Sequence, residues 1–263
     1  PVVSYIAPSA WAWHKSRAKN VAKIVDKVAS IFPFEYDVYK EAGANVEFVG
    51  HPLVDIVKPK MTEAEANAFA GKQDDRKLIL IMPGSRLMEI EKMLPTLLEA
   101  AKLIKKQLPE VDFVMPRAGS IPLQMLEEKI KASGISVKIT EGNNYDLFSV
   151  ADLALATSGT VTLEAALCGL GSVIVYRTNP LTYFIAKLVV NIPHIGLPNI
   201  VAGKSVLPEL IQDDFTPEKV AKEAMSLLER ERNAKMKEDL AYVKERLGKP
   251  GAVERVAELV LKI

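Results

Sequence analysis

Residues 77–107 read KLILIMPGSRLMEIEKMLPTLLEAAKLIKKQ, and the order of patterns in them decides the fold class. The run 77–82 is short and, after Lys77, uninterruptedly apolar, as in a strand covered on both faces. Pro83-Gly84-Ser85-Arg86 breaks it, and 89–107 then repeats apolar residues at helical spacing. A buried strand, a tight turn and a long helix in that order form one unit of a parallel α/β sheet.

The alternation extends both ways. Downstream, strands are expected at 111–115, 137–139, 153–156 and 172–176, with helices at 123–132, 144–150 and 160–168 between them. The stretch 181–190 is apolar and helical. Residues 191–208 carry Pro193, Gly196, Pro198, Gly203 and Pro208 and read as an irregular loop. Amphipathic helices follow at 217–247 and 251–262, interrupted at Gly248 and Pro250. Upstream, 2–7, 27–32 and 46–49 read as strands, and 15–25 and 35–41 as helices. Residues 51–76, with His51-Pro52, Lys58-Pro59 and a charged stretch ending at Arg76, read as a break. The expected division is 1–57, 58–247 and a terminal helical piece, 248–263, packing back on the first part. The chain opens at Pro1 directly into an apolar strand, and three strands do not close a stable sheet alone. Residues 1–57 are therefore read as the tail of a domain that begins upstream.

Composition narrows the function classes. The 263 residues are 49% hydrophobic and 25% charged, ordinary for a globular protein. A net charge of +1 offers no global field for nucleic acid. Cys168 is the only cysteine, so no intramolecular disulfide forms, which fits a reducing compartment. His14, His51 and His194 are scattered, without metal-ligand spacing. No apolar run is long enough to cross a bilayer. Dinucleotide, P-loop and nucleophile-elbow motifs are absent. No Asp-x-Asp metal pair appears, so phosphates would rest on backbone N–H groups and Arg86, and no metal or organic cofactor is expected.

Two turns carry the chemistry. In the first, Gly84 allows a tight turn with close backbone approach. Ser85 can cap the helix whose free N–H groups attract anions, and Arg86 offers a fork of donors matched to phosphate oxygens. The second, Thr157-Ser158-Gly159-Thr160, lies between an apolar strand and the helix VTLEAALCG. Ligands of open α/β sheets bind at such strand ends. Glu164, in the next helix, could accept two hydrogen bonds from a ribose diol. Either turn alone is also an ordinary strand-turn-helix joint, but two in one sheet favour phosphate binding. Asn199, in an apolar loop, could hydrogen-bond a sugar hydroxyl or simply form a turn after Pro198. His51 could touch a ligand held between domains, or stitch a turn.

Both tryptophans, Trp11 and Trp13, sit beside Lys15, Arg17 and Lys19. Interfacial aromatics with basic residues suit an anionic membrane surface. Buried tryptophans followed by a solvated basic helix would give the same pattern.

The stretches Tyr5-Ile6-Ala7-Pro8-Ser9-Ala10-Trp11-Ala12-Trp13, Phe32-Pro33-Phe34-Glu35 and Phe48-Val49-Gly50-His51-Pro52-Leu53-Val54-Asp55 are similar to those of a known family. So are Pro83-Gly84-Ser85-Arg86 with Glu89-Ile90, Ser158-Gly159-Thr160 with Leu163-Glu164, and Tyr176-Arg177 with Pro180-Leu181-Thr182-Tyr183. Leu197-Pro198-Asn199 with Ala202-Gly203, and Pro208-Glu209-Leu210-Ile211-Gln212, complete the set. In this order they resemble the lipid-A-disaccharide synthases, glycosyltransferases of the GT-B type. The resemblance implies two Rossmann-like domains with a cleft between them. The first, membrane- and acceptor-side domain is incomplete here, and 58–247 binds the UDP-sugar. The implied reaction moves 2,3-diacylglucosamine from UDP to 2,3-diacylglucosamine 1-phosphate, with inversion, at the inner face of the cytoplasmic membrane. It also implies Arg86 on the diphosphate, Ser158-Gly159-Thr160 as its cradle, Glu164 on the ribose and Asn199 near the donor. Arg86 and Asn199 are thus the catalytic candidates. Gly84, Ser85 and His51 join them in substrate binding, Trp11, Trp13, Lys15 and Arg17 at the membrane, and a homodimer is allowed. The family's general base falls in the part ahead of residue 1, so none is named and this stretch alone is expected to be inactive. Competing readings are another GT-B activity on UDP-GlcNAc, an epimerase or a lipid-linked transferase, and a non-catalytic UDP-sugar-binding fragment.

Overall fold

The computed structural model describes residues 1–7, 15–73, 75–179, 183 and 193–263. The first part holds β1 (Val3–Tyr5), α1 (Lys15–Ile24), β2 (Lys27–Ser30), α2 (Pro33–Glu41) and β3 (Val46–Phe48). These strands form a parallel sheet in the order β1-β2-β3. Two short helices follow, α3 (Leu53–Ile56) and α4 (Glu63–Ala70). The second part runs β4 (Lys77–Met82), α5 (Leu87–Gln107), β5 (Val111–Arg117), α6 (Leu123–Ser133), β6 (Lys138–Glu141), α7 (Asn144–Val150), β7 (Leu153–Thr157), α8 (Thr160–Leu167) and β8 (Ser172–Tyr176). It continues with α9 (Leu197–Ala202), β9 (Glu209–Ile211), α10 (Pro217–Leu228), α11 (Arg230–Arg246) and α12 (Ala252–Leu261). Its six strands are all parallel, in the order β6-β5-β4-β7-β8-β9.

Alternation along β4 builds both faces of this sheet. Ile79 and Ile81 point to one side, into a cluster with Ile90, Met93, Leu94 and Leu97 of α5. Leu78, Leu80 and Met82 point to the other, into a cluster with Ala66, Ala70, Leu147 and Phe148. Each such side chain, once fully buried, contributes roughly 1.5–3 kcal/mol. β7 repeats the device with Leu153 and Leu155 on the first side and Ala154 and Ala156 on the second. Helix α5 buries residues 90, 93, 94, 97, 98, 100, 101 and 104, the spacing of one helical face, and leaves Pro95 exposed on the other. Asp152, just ahead of β7, ties the edge of the pair: its carboxylate accepts from Leu78 N–H at 2.9 Å and from Lys77 at 2.8 Å.

Three expectations need correction. Residues 51–76 are not a plain break. They contain α4, entered through a capping box in which Thr62 and Glu65 bond each other's backbone N–H, and left through Gly71. Its buried residues are alanines, whose weak hydrophobic contrast hides the helix from periodicity. The stretch 217–247 is two helices, because Glu229 takes an extended conformation (φ −64°, ψ 138°) between α10 and α11. The loop 191–208 contains α9 and leads into β9, an edge strand too short to show a period. The helix expected at 181–190 falls outside the described residues, apart from Tyr183. Among the described residues, no helix is long and apolar enough to cross a membrane.

The terminal helix α12 meets the segment after β3. The Asp55 carboxylate accepts from the backbone N–H of Gly251, at 2.9 and 3.0 Å, and of Ala252, at 3.2 Å. A carboxylate there also complements the positive end of the helix. Arg255 returns from α12 to donate to Val49 O at 2.8 Å, and to Pro250 O and Lys249 O. Gly50 sits at φ +84°, a left-handed conformation that favours glycine, and a Cβ on it would lie 2.9 Å from the Arg255 guanidinium. Asp55→Ala is expected to lower the unfolding free energy by about 1–2 kcal/mol, the usual cost of a lost cap. Urea denaturation measures it, and faster amide exchange across 252–261 should accompany the loss.

Candidate functional site

The strand order reverses between β4 and β7: β5 and β6 continue to one side, β8 and β9 to the other. At such a switch point the connections leave in opposite directions and open a crevice beyond the carboxyl ends of the strands. A cleft of about 410 Å³ lies there. Seven of the residues singled out from the sequence line it: Gly84, Ser85 and Arg86 after β4, and Ser158, Gly159, Thr160 and Glu164 after β7.

The first turn is organised by a residue that was not singled out as a site group. Glu89, in the first turn of α5, turns its carboxylate back onto the loop. Its Oε2 accepts from Ser85 N–H at 2.8 Å and from Arg86 N–H at 3.2 Å, and its Oε1 pairs with the Arg86 guanidinium at 2.8 Å. The expectation that Ser85 caps the helix is corrected: Arg86 occupies that position and Glu89 satisfies the donors. Gly84 lies at φ +117°, and a Cβ there would fall 2.4 Å from Glu89 Oε2 and 2.6 Å from Glu89 Cβ. The close approach permitted by this glycine is the approach of Glu89. Ser120 Oγ braces the turn by donating to Ser85 O at 2.8 Å. The Arg86 side chain remains 81% exposed, and so can reorient toward an anion in the cleft.

The second turn presents the start of α8, whose first N–H groups have no partner within the helix. Ser158 Oγ donates to Ile195 O at 3.0 Å, fastening the turn to the loop before α9. Gly159 takes an extended conformation, and a Cβ on it would meet nothing within 4 Å. The Thr157 hydroxyl just before it is buried and has no hydrogen-bond partner among the described residues. Glu164 lies one turn into α8 and accepts from Tyr145 Oη at 3.2 Å. Burial raises the Glu164 pKa, and the Tyr145 bond works against that rise. Burial, then the neighbouring carboxylate, raises that of Tyr145.

Arg117 at the end of β5 and Asn144 at the start of α7 also line the cleft. Arg117 is spoken for: it donates to Glu141 and to Ile121 O. Arg117 and Asn144 were missed because neither lies in a recognisable motif. Strand pairing alone brings the ends of β5 and β7 to either side of β4.

Other expected site residues do not reach the cleft. Asn199 is wholly buried, and its amide is saturated. Its Nδ2 donates to Leu207 O at 2.8 Å and Glu209 Oε1 at 2.7 Å, while Oδ1 accepts from Val206 N–H and Leu207 N–H, both at 2.8 Å. It braces the loop between α9 and β9 and has no capacity left for a sugar. His51 is 6% exposed, lies against the Phe32 ring, and accepts from Leu53 N–H at Nδ1. It is a stitch in the joint near Leu247 O, to which its own N–H donates, and does not line the cleft. Burial lowers its pKa to about 4. Trp11 and Trp13 lie outside the described residues, Lys15 opens α1, and Arg17 is exposed on it. Cys168 is partly buried, which pushes its thiol up to about 11. Among the described residues, no group of His, Cys, Asp or Glu could hold a metal ion.

Parallel sheets with this cleft define the architecture shared by GT-B glycosyltransferases and related epimerases. A UDP-GlcNAc 2-epimerase from Neisseria meningitidis, solved bound to UDP-GlcNAc, is 17% identical with a TM-score of 0.64, over 92% of this chain and 63% of that one. A glycosyltransferase involved in lipopolysaccharide biosynthesis superposes with a TM-score of 0.52 at 15% identity, over 82% of this chain and 58% of that one. The sequence is more specific than the fold. The family model described as lipid-A-disaccharide synthetase matches residues 1–263, and the chain belongs to that family. The lipid-A-disaccharide synthase of Geobacter sulfurreducens is 43% identical over the whole chain, which spans 68% of that relative. That of Nitrosococcus oceani is 40% identical, over 99% of this chain and 67% of its own length. The function is glycosyl transfer in lipid A biosynthesis.

The histidine at the joint makes a pH prediction. Its folded pKa lies below the unfolded value, so its neutral form supports folding above pH 6.5 and that support is lost as pH falls toward about 4. Between pH 7 and pH 4.5, the wild type should lose about 2–3 kcal/mol more unfolding free energy than His51→Gln. Parallel urea titrations of the two proteins measure the difference.

Proposed function

We propose that the cleft holds the UDP moiety of UDP-2,3-diacylglucosamine, and that the diacylglucosaminyl group passes with inversion to 2,3-diacylglucosamine 1-phosphate. The products are the lipid A disaccharide 1-phosphate and UDP. The observation that carries this reading is the convergence of Arg86, the start of α8 and Glu164 on one crevice at the sheet's switch point. Departure of UDP concentrates negative charge on the diphosphate. An exposed guanidinium and the N–H groups of a helix start are the groups that stabilise it. Glu164, half-buried and oriented by Tyr145, is placed to accept from a ribose diol. In this reading 58–247 forms the nucleotide-binding domain, and 1–57 with 248–263 belongs to the acceptor-side domain. The protein works peripherally at the inner face of the cytoplasmic membrane, with Trp11, Trp13, Lys15 and Arg17 against the lipid, and two copies can associate.

UDP is expected to raise the melting temperature, and Glu164→Ala to reduce that shift. No shift in the wild type would remove the nucleotide site. Arg86→Ala should lower turnover by the intact enzyme about 100- to 1,000-fold, the usual effect of deleting one donor to a developing anion. Because Arg86 is exposed, its melting temperature without nucleotide should stay unchanged. Replacing Trp11 and Trp13 together by Ala should weaken flotation with anionic liposomes; undiminished flotation rules out their membrane contact.

A further inference from the structure

We propose that Glu89 is an internal competitor for the donor's phosphates, its carboxylate held in the position a phosphate oxygen would take. The inference rests on the diphosphate reading of the cleft.

The set of donors gathered after β4 is that of an anion site: two consecutive backbone N–H groups, a guanidinium and the positive end of a 21-residue helix. In this structure all of them serve one carboxylate, bound at 2.8 Å to Ser85 N–H, 3.2 Å to Arg86 N–H and 2.8 Å to Arg86 Nη1. The seat is tight, since the Glu89 side chain fills the place where a Cβ on residue 84 would stand. A diphosphate cannot share these donors with Glu89. Two anions a few ångströms apart in a half-enclosed cleft repel, and each donor's N–H points to one acceptor. Ligand entry therefore exchanges phosphate for carboxylate. Glu89 is on the first turn of α5 with its side chain 21% exposed, so rotation about its own bonds takes the carboxylate out to water. When UDP has formed, return of the carboxylate to the same N–H groups and to Arg86 speeds its exit. The Thr157 hydroxyl, buried and without a partner among the described residues, also lines the cleft and is not engaged by Glu89. Glu89 thus sets nucleotide affinity and release, while Arg86 and the start of α8 act on the leaving group.

The test is Glu89→Gln, which keeps the length and can still accept from the two N–H groups but carries no charge to compete. UDP should bind the variant roughly tenfold more tightly, the difference between a charged and a neutral acceptor on these donors. Uridine, which has no phosphate, should bind both proteins alike. In turnover, the donor KM should fall with kcat no higher than in the wild type. Weaker or unchanged UDP binding, or an equal gain for uridine, overturns the competition. Failure of UDP to bind either protein removes the diphosphate reading and the inference with it. Glu89→Ala gives a second arm. Its melting temperature without nucleotide registers the lost helix cap, and its UDP-induced rise should still exceed that of the wild type. A smaller rise than the wild type's also overturns the proposal.

Discussion

Strands β4 and β7 lie side by side with both faces covered, and everything at the site follows from that pairing. Ile79 and Ile81 commit one face to α5, and Leu78, Leu80 and Met82 commit the other to α4 and α7. A strand buried on both sides has no register to slip into without exposing apolar surface. Its carboxyl end is therefore a fixed point, and so is that of β7, held by the Ile79–Leu153 to Met82–Ala156 ladder. The chain turns outward in opposite directions from these two ends. The crevice is a consequence of strand order, and the loops that enter it are short enough to be placed by the sheet.

The electrostatics of the crevice are less simple than a row of cations awaiting phosphate. Arg117 is neutralised by Glu141, and Arg86 by Glu89. The two ion pairs differ in kind. Arg117 is largely buried and adds a bond to Ile121 O, so it belongs to the wall. Arg86 is almost fully exposed and its partner sits at a helix start, where any anion gains from the same N–H groups. The first pair is architecture, and the second can exchange partners. Glu164, with Tyr145 as its one hydrogen-bond partner among the described residues and its charged form disfavoured by burial, is the other group whose state a bound sugar would change.

The joint between the two sheets uses the same physical means for stability. Asp55 caps α12, Arg255 returns to the backbone of Val49, and His51 is held neutral by burial beside Phe32. Gly50 and Gly248 pass with a would-be Cβ only 3.2 Å from the neighbouring Cα. These residues surround the family-like stretch 48–55, and in this structure the side-chain hydrogen bonds of His51, Asp55 and Arg255 go to the chain's own backbone. Asn199 makes the same point in the loop before β9, where a saturated amide replaces a strand or helix ladder as the element that holds the backbone.

Sequence alone determined the class of fold, because an apolar run of five residues, a glycine turn and a helical period each follow from local rules. It also located the two turns, Gly84-Ser85-Arg86 and Ser158-Gly159-Thr160, and the helix residue Glu164, since small residues at the ends of apolar strands are legible one segment at a time. Helix α4 escaped because alanine contrasts weakly with its polar neighbours, and β9 because three residues show no period. Only the tertiary structure decided which polar groups were free to act. Asn199 and His51 have the chemistry of site residues, yet Val206, Leu207 and Glu209 use up the hydrogen bonds of the first, and Leu53 and the Phe32 ring occupy the second. Arg117 and Asn144 reach the cleft through strand pairing, and Glu89 takes the anion place through a rotamer that the glycine at 84 makes possible. A side chain's identity is written in the sequence. Its remaining capacity to bond depends on what folding has already placed against it.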